Sequence, residues 1–136
     1  RFMEGSSEYT VSWAKKIAFV WFRAILKLGT GKKITDPTTS LQGLNWKTFL
    51  FYSKYNNFDD KYPDANMLMQ MLLLGFRVRE IPAVMHVRTA GVSMHSGLKP
   101  IVYMFRMTVS ILTVWIREKI LKMDEDKIRA LEKYNE

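Results

Sequence analysis

The chain has 136 residues, of which 48% are apolar, and a formal net charge of +8 at pH 7. This length fits one domain with a modest core, and the apolar share excludes a chain that is disordered throughout. The charge points to polyanionic partners such as nucleic acid, anionic lipid or a phosphorylated substrate. Because there is no cysteine, a disulfide framework and a thiolate metal site are excluded, which suits a reducing cytoplasm.

No stretch of the sequence reaches the roughly 18 to 20 uninterrupted apolar residues that span a bilayer. The nearest candidate, Met107 to Ile116, lies between Arg106 and Arg117. The N-terminus lacks the basic, apolar and small-residue pattern of a signal peptide. Because the first residue is Arg1 rather than Met, we expect the chain to have been cut from a longer protein or processed.

Two long helices are predicted, over residues 10–28 and over residues 98–122, the first ending at Gly29. Each carries a narrow polar stripe beside a broad apolar surface. Such a helix can be a core helix with one solvated edge, or a helix that lies at a membrane surface. Because two of them exceed the apolar surface that a small core covers, we favour a membrane face or a partner domain. The residues expected at the membrane are Lys16, Trp21, Arg23, Lys27, Arg106, Trp115 and Arg117.

Shorter elements fill the rest of the chain. A helix over 44–55 has Asn45 as its cap, and a buried helix over 65–75 closes at Gly75. Alternating apolar and basic residues over 76–87 predict an edge strand that bends at Pro82. The remaining segments are a loop over 1–9, a basic turn over 29–35, an Asp-Pro turn over 36–40, and loops over 56–64 and 88–97. In the buried helix, the side chains expected to fill the core are Met67, Met69 and Met71.

The C-terminal segment 123–136 is rich in charge and predicts a peripheral amphipathic helix with Asp124 at its start. We therefore divide the chain into a main portion, residues 1–122, and a charged helical tail, residues 123–136.

Several short motifs occur in a fixed order along the main portion. They are Arg1-Phe2-x-x-Gly5, Ile34-Thr35-Asp36-Pro37-Thr38, Asn45-x-Lys47, Tyr62-Pro63-Asp64, Gly75-Phe76-Arg77-Val78-x-Glu80-Ile81-Pro82 and Arg88-x-x-Gly91-x-Ser93. This ordered set, over roughly residues 1–117, resembles the C-terminal half of family 2 glycosyltransferases. The types it resembles are the polyprenyl- or dolichyl-phosphate sugar synthases and related bacterial enzymes of cell-surface polysaccharide synthesis.

The resemblance implies an α/β fold, here an incomplete GT-A fold that is helix-rich, with few strands and with amphipathic membrane-facing helices. It places the enzyme at the cytoplasmic face of the membrane, peripherally bound. It also implies that the nucleotide-sugar site and its Mg²⁺ or Mn²⁺ ion lie on a segment preceding Arg1, since no Asp-x-Asp motif occurs before Asp124-Glu125-Asp126. We read that late motif as a helix N-terminus, so this chain alone should bind no metal and should be inactive.

The resemblance also nominates site residues. Arg88, Gly91 and Ser93 match a phosphate-contacting loop, where an arginine fork, a close backbone and a hydroxyl can meet phosphate oxygens. Arg1 matches an arginine near the acceptor phosphate. The alternative for the loop is a surface turn with an incidental arginine.

Asp36 matches the aspartate of an acceptor-side segment, Asp-Pro-Thr-Ser-Gly-Phe-Arg, and is a candidate for an acceptor contact or a base. In this chain Ser40 replaces the glycine and Gln42 the arginine, and the alternative for Asp36 is an ordinary Asp-Pro turn. His86 and His95 lack metal-ligand spacing, although His95 could reach a metal held by another segment.

Three functions follow from these patterns. The first is the acceptor-side half of a glycosyltransferase that moves a sugar to a lipid-linked acceptor and needs a nucleotide-sugar-binding partner. The second is a non-catalytic, membrane-peripheral partner or scaffold of such an enzyme. Nucleic-acid binding is disfavoured, because the aromatic residues lie on apolar faces rather than among exposed basic ones.

Overall fold

The computed structural model describes residues 13–39, 41–55, 63–83 and 99–132, and within these ranges the chain is built of packed helices without strands. The elements are α1 (Trp13–Thr30), α2 (Trp46–Tyr55), α3 (Ala65–Leu73), α4 (Lys99–Trp115), a π-helical turn (Ile116–Ile120) that continues α4, and α5 (Glu125–Glu132). The predicted helix-rich character is confirmed.

Helix α3 lies at the centre of the described residues, in contact with α1, α4 and the π-helical turn. Met69 faces one apolar cluster with α1 and α4, while Met67 and Met71 face a second cluster with α2 and α5. All three methionines are buried, as predicted. Unbranched, flexible thioether side chains suit a helix that must fill irregular space on both sides. The other buried side chains of the two clusters are Phe22, Leu26, Ile34, Ala65, Met107 and Ile111 in the first, and Phe51, Tyr52 and Leu131 in the second.

Two of the predicted helix ends are confirmed by their hydrogen bonds. Asn45 caps α2, because its Oδ1 accepts the backbone N–H of Thr48 at 2.9 Å. After α3, Gly75 has a φ of 83°, and the next N–H, that of Phe76, returns to the carbonyl of Met71 at 2.9 Å. This left-handed glycine ends the helix and satisfies its last carbonyls.

The predicted end of α1 at Gly29 is wrong. The helix continues to Thr30, and the left-handed residue is Gly31, with a φ of 71°. Gly29 is instead a packing residue, because a Cβ there would come within 2.6 Å of Met69 Cε and 3.1 Å of Trp115 Cδ1.

The predicted strand over 76–87 is wrong for residues 76–83, which the structure describes and which have no regular secondary structure. A strand requires a partner strand for its backbone N–H and C=O groups, and the described residues provide none. The remainder of the predicted strand, residues 84–87, lies outside the described residues. The α/β character expected of the chain therefore has no counterpart in the described part.

The tail helix α5 packs against α2 rather than lying at the periphery, so that expectation is wrong for two residues of the tail segment 123–136. Leu131 enters the second apolar cluster, and Asp124, just before the helix, is 1% exposed. The division at residue 122 remains a prediction about domains, although Lys122 does mark a sharp turn, with a φ of 50°.

A buried polar network joins the tail to the body of the chain. Gln70 of α3 donates from Nε2 to Glu118 Oε1 and to Asp124 Oδ2, each at 3.1 Å. Arg117 bridges the same two carboxyl groups, with Nε 2.8 Å from Glu118 and Nη2 3.3 Å from Asp124, and Lys127 pairs with the other oxygen of Asp124. The π-helical turn brings the consecutive residues Arg117 and Glu118 to this network together.

The two carboxyl groups of this network have opposite pKa shifts. Burial and the hydrogen bond to Asp124 raise the pKa of Glu118, although its bond to Arg117 works against them. Burial also opposes ionisation of Asp124, but hydrogen bonds from Lys127 and Glu118 and the charge of Arg117 outweigh it and hold its pKa below the usual range. Glu118 is therefore the member of the pair that takes the proton, and Asp124 is the member that keeps its charge.

These opposite shifts predict opposite effects of two matched substitutions. Asp124→Asn removes the charge that Arg117 and Lys127 face, and should lower the free energy of unfolding at pH 7 by about 2 kcal/mol, since both cations keep partial contact with solvent. The glutamine side chain of Glu118→Gln resembles the protonated acid, so this substitution should not lower the free energy of unfolding at pH 7. Urea unfolding of both variants and the wild type measures the difference.

The pH dependence follows from the same shifts. The raised pKa of Glu118 gives stability that is complete below the unfolded-state pKa, about 4.3, and is lost as pH rises through the folded-state value. The free energy of unfolding of the wild type should therefore rise relative to that of Glu118→Gln as pH falls from 7 towards 4. Below that range the wild type loses the contribution of Asp124. Equal loss of stability in Glu118→Gln and Asp124→Asn at pH 7 would contradict this assignment.

Candidate functional site

The loop after α1 is held by one acidic side chain from a distant segment. Glu80 accepts the backbone N–H of Thr35 on both carboxylate oxygens, at 2.9 and 2.8 Å, and the N–H of Asp36 on Oε1 at 2.9 Å. From the other side, Arg23 of α1 donates from Nε to the carbonyl of Thr35 at 2.6 Å. The backbone at Thr35 and Asp36 is therefore fixed by charged groups from two elements.

Asp36 lies inside this loop with 6% of its surface exposed. Its Oδ1 accepts the N–H and the hydroxyl of Thr38, at 3.3 and 3.2 Å, which closes an Asp-Pro turn. The carboxylate therefore shapes the turn, which agrees with the ordinary Asp-Pro turn that the sequence offered as the alternative role of Asp36. Its possible role toward an acceptor stays a prediction.

Three of the sequence motifs meet around this loop. Glu80 joins the Glu-Ile-Pro motif to the Asp-Pro motif, and Gln42 donates from Nε2 to the carbonyl of Pro63 at 3.1 Å, which links the loop to the Tyr-Pro-Asp motif. Asp64 of that motif in turn accepts the hydroxyl of Tyr103 on α4 at 2.8 Å. Segments far apart in sequence thus form one connected wall.

Helices α1 and α4 present apolar side chains outward as well as inward. The helices are adjacent on this side, since Trp21 Nε1 donates to the hydroxyl of Thr108 at 3.0 Å. On α4 the exposed apolar residues recur at helical spacing, opposite the buried Met107 and Ile111. We call this surface the outer face, and its members are Trp13, Ile17, Val20, Trp21, Leu28, Ile101, Val102, Phe105, Val109, Leu112 and Ile116.

The predicted membrane residues divide into two groups. Lys16, Trp21, Lys27 and Arg106 are exposed, and Arg23 is half-buried beside Thr35. Trp115 is half-buried against the first apolar cluster, and Arg117 joins the network of Glu118 and Asp124. Contact of these residues with a membrane stays a prediction.

The predicted phosphate residues Arg1, Arg88, Gly91 and Ser93, as well as His86 and His95, lie outside the described residues. The site residue that sequence reasoning missed is Glu80. Glu80 belongs to the Glu-Ile-Pro motif, but the sequence assigns it no role, because no local pattern signals a hydrogen bond to a backbone group some 45 residues away.

Comparison with known proteins identifies no relative: no protein-family model, no curated protein and no solved structure matches the chain. None of the described helices combines the length and hydropathy needed to cross a bilayer. Within the same residues, no three side chains of the metal-ligating types gather at one point.

Removing the Glu80 carboxylate should loosen the loop without unfolding the chain. In Glu80→Ala the N–H groups of Thr35 and Asp36 lose a charged acceptor, so we expect their hydrogen exchange to speed up at least tenfold, or ~1.4 kcal/mol of local opening. Exchange measured residue by residue by NMR provides the readout.

Glu132→Ala, the same substitution at an exposed position of α5, serves as the control and should leave both amides unchanged. Glu80→Gln keeps an acceptor oxygen, so the exchange rates of the two amides should lie between those of Glu80→Ala and those of the control. Unchanged protection of Thr35 and Asp36 in Glu80→Ala would show that the carboxylate does not hold the loop.

Proposed function

We propose that this chain forms the acceptor-side part of a nucleotide-sugar-dependent glycosyltransferase of family 2. It would move a sugar to a lipid-linked acceptor, a polyprenyl phosphate or a growing polysaccharide, at the cytoplasmic face of the membrane. The contact of Glu80 with Thr35 and Asp36 carries this proposal, because it joins two motifs of the ordered set on which the resemblance rests. The link from Gln42 to Pro63 adds a third motif to the same wall.

The proposed fold is an incomplete GT-A domain of the α/β class, of which this chain supplies a helical, acceptor-side portion. The nucleotide-sugar-binding half, on a preceding segment or a partner subunit, would supply the donor site. We assign the Mg²⁺ or Mn²⁺ ion that neutralises the diphosphate leaving group to that half, because no Asp-x-Asp motif precedes Asp124-Glu125-Asp126 in this chain.

In the transfer step, an acceptor oxygen forms a bond to the anomeric carbon while the bond from that carbon to the nucleotide diphosphate breaks. A phosphate acceptor already carries a nucleophilic oxygen and requires no base, whereas a hydroxyl acceptor must lose its proton to one. Arg88, Gly91, Ser93 and Arg1 remain our candidates for contacts with phosphate. Asp36 remains the candidate on the acceptor side, through the turn that it closes or as the base.

A membrane location is supported by the outer face and the cations beside it. Exposed apolar residues at helical spacing can enter the headgroup region, while Lys16 and Arg106 can meet anionic lipid. This arrangement requires no spanning helix and would bring a lipid-linked acceptor to the chain within the plane of the membrane.

A second function is favoured by the environment of Asp36. A carboxylate that is 6% exposed and has Oδ1 committed to Thr38 is poorly placed to contact a substrate. The chain would then be a non-catalytic, membrane-peripheral partner or scaffold of a glycosyltransferase complex, with the same outer face and without a reacting group.

A transfer assay distinguishes these functions. The chain is co-expressed with the segment encoded upstream of it, and labelled sugar is followed from UDP-, GDP- and dTDP-sugars to polyprenyl phosphate in vesicles. We expect transfer only when both parts are present. Arg88→Ala should lower kcat/KM about 30-fold, or ~2 kcal/mol of transition-state stabilisation, with the free energy of unfolding unchanged.

Asp36→Asn tests the acceptor-side residue, because the amide oxygen can still accept the bonds from Thr38. A folded variant without transfer makes Asp36 a reacting group, and a folded, active variant makes it a turn residue. Asp126→Asn, at an exposed position of α5, is the control. Transfer by this chain alone would overturn the division into two parts, and no transfer with any partner would favour the scaffold.

A further inference from the structure

A basic cleft of about 460 Å³ lies between α1 and the loop that follows it. Its described lining consists of Arg23, Ala24, Lys27, Lys33, Ile34 and Thr35.

The backbone around the cleft is fixed at several points. Gly31, in the left-handed conformation, donates to the carbonyl of Lys27 at 2.8 Å, and the N–H of Lys32 donates to the hydroxyl of Thr30 at 3.1 Å. Ile34 is buried in the first apolar cluster, and Thr35 is held by Glu80 and Arg23. The residues before and after Lys33 are therefore held in place by hydrogen bonds or by burial. Because the backbone of the loop is fixed in this way, the cleft exists before any ligand binds.

The charged side chains in the described lining of the cleft are all of one sign. Three cationic side chains line it, and no acidic side chain does among the lining residues that the structure describes. Glu80 binds Thr35 through the backbone N–H and is not part of the lining. Like charges on one concave surface repel each other, and a polyvalent anion removes that repulsion while it gains several charge-assisted hydrogen bonds.

An apolar stripe of α1 reaches the cleft at Ala24. Ala24 lines the cleft and is exposed, and it shares a helical stripe with Val20 and Leu28 of the outer face, which are 65% and 87% exposed. A ligand that fits both features has a compact, highly charged anion attached to an apolar chain.

We propose that this cleft binds the phosphate or diphosphate group of an amphiphile, with Lys27 and Lys33 as the binding cations and Arg23 as the residue that joins them to the loop. The apolar chain of the ligand lies along the outer face of α1. A soluble diphosphate shares the headgroup chemistry and occupies the same cleft more weakly. The site requires only the cleft and the adjoining apolar surface, so it holds whether or not the chain takes part in sugar transfer.

Two neighbouring lysines provide a matched test. Lys32 and Lys33 are both exposed, but only Lys33 lines the cleft, and Lys32→Glu and Lys33→Glu change the net charge of +8 by the same amount. Binding is measured to inorganic pyrophosphate by titration calorimetry, and to vesicles of phosphatidylcholine with and without phosphatidic acid by flotation.

We expect the wild type to bind both probes, and Lys33→Glu to weaken each at least tenfold, while Lys32→Glu changes either less than threefold. Binding of phosphatidic acid alone, with the same difference between the variants, supports the cleft and identifies a lipid as the source of the phosphate. If Lys32→Glu and Lys33→Glu lost binding equally, overall charge would explain the effect, and the proposed site would be overturned. Absence of binding to both probes would overturn it as well, and neither result depends on the transfer assay.

Discussion

The arrangement of the candidate site depends on the Glu80 carboxylate, which accepts backbone N–H groups from Thr35 and Asp36. Bonds of this kind, with one charged partner, contribute roughly 1.5–3 kcal/mol each, more than bonds between neutral groups. They fix the loop on which Asp36 closes its turn and on which Lys33 borders the basic cleft. Arg23 holds the same peptide from α1, so the position of the loop relative to that helix is also set.

The described helices have two kinds of surface, and this division explains how the site is placed. Inward, α1 and α4 pack on α3 through Phe22, Met107 and their neighbours, and the network of Gln70, Glu118 and Asp124 secures the tail. Outward, the same helices expose apolar side chains that no described residue covers. The basic cleft lies at the border of the outer face, where a charged group and an apolar chain can both be accommodated.

Local features of the structure could be predicted from the sequence. Asn45 and Gly75 mark helix ends through chemistry that acts within a few residues, and the apolar run over 65–75 indicates a buried helix. Long-range features could not be predicted. The alternation over 76–83 has no partner strand among the described residues, and the π-helical turn directs Arg117 to Asp124 instead of to the surface. Glu80 gains its role only when distant segments meet, and no periodicity records that.

The central claim is that this chain works on a membrane surface, with its outer face toward the lipid and its loop toward a lipid-linked acceptor. Because the chain has no cysteine, a single nitroxide label can be placed at Phe105→Cys on the outer face, or at Ser53→Cys on α2. Power saturation with oxygen and with a water-soluble nickel complex then measures the depth of each label in anionic vesicles. We predict that the label at position 105 lies below the headgroups and that the label at position 53 stays in water. Two labels that both remain in water would contradict the claim.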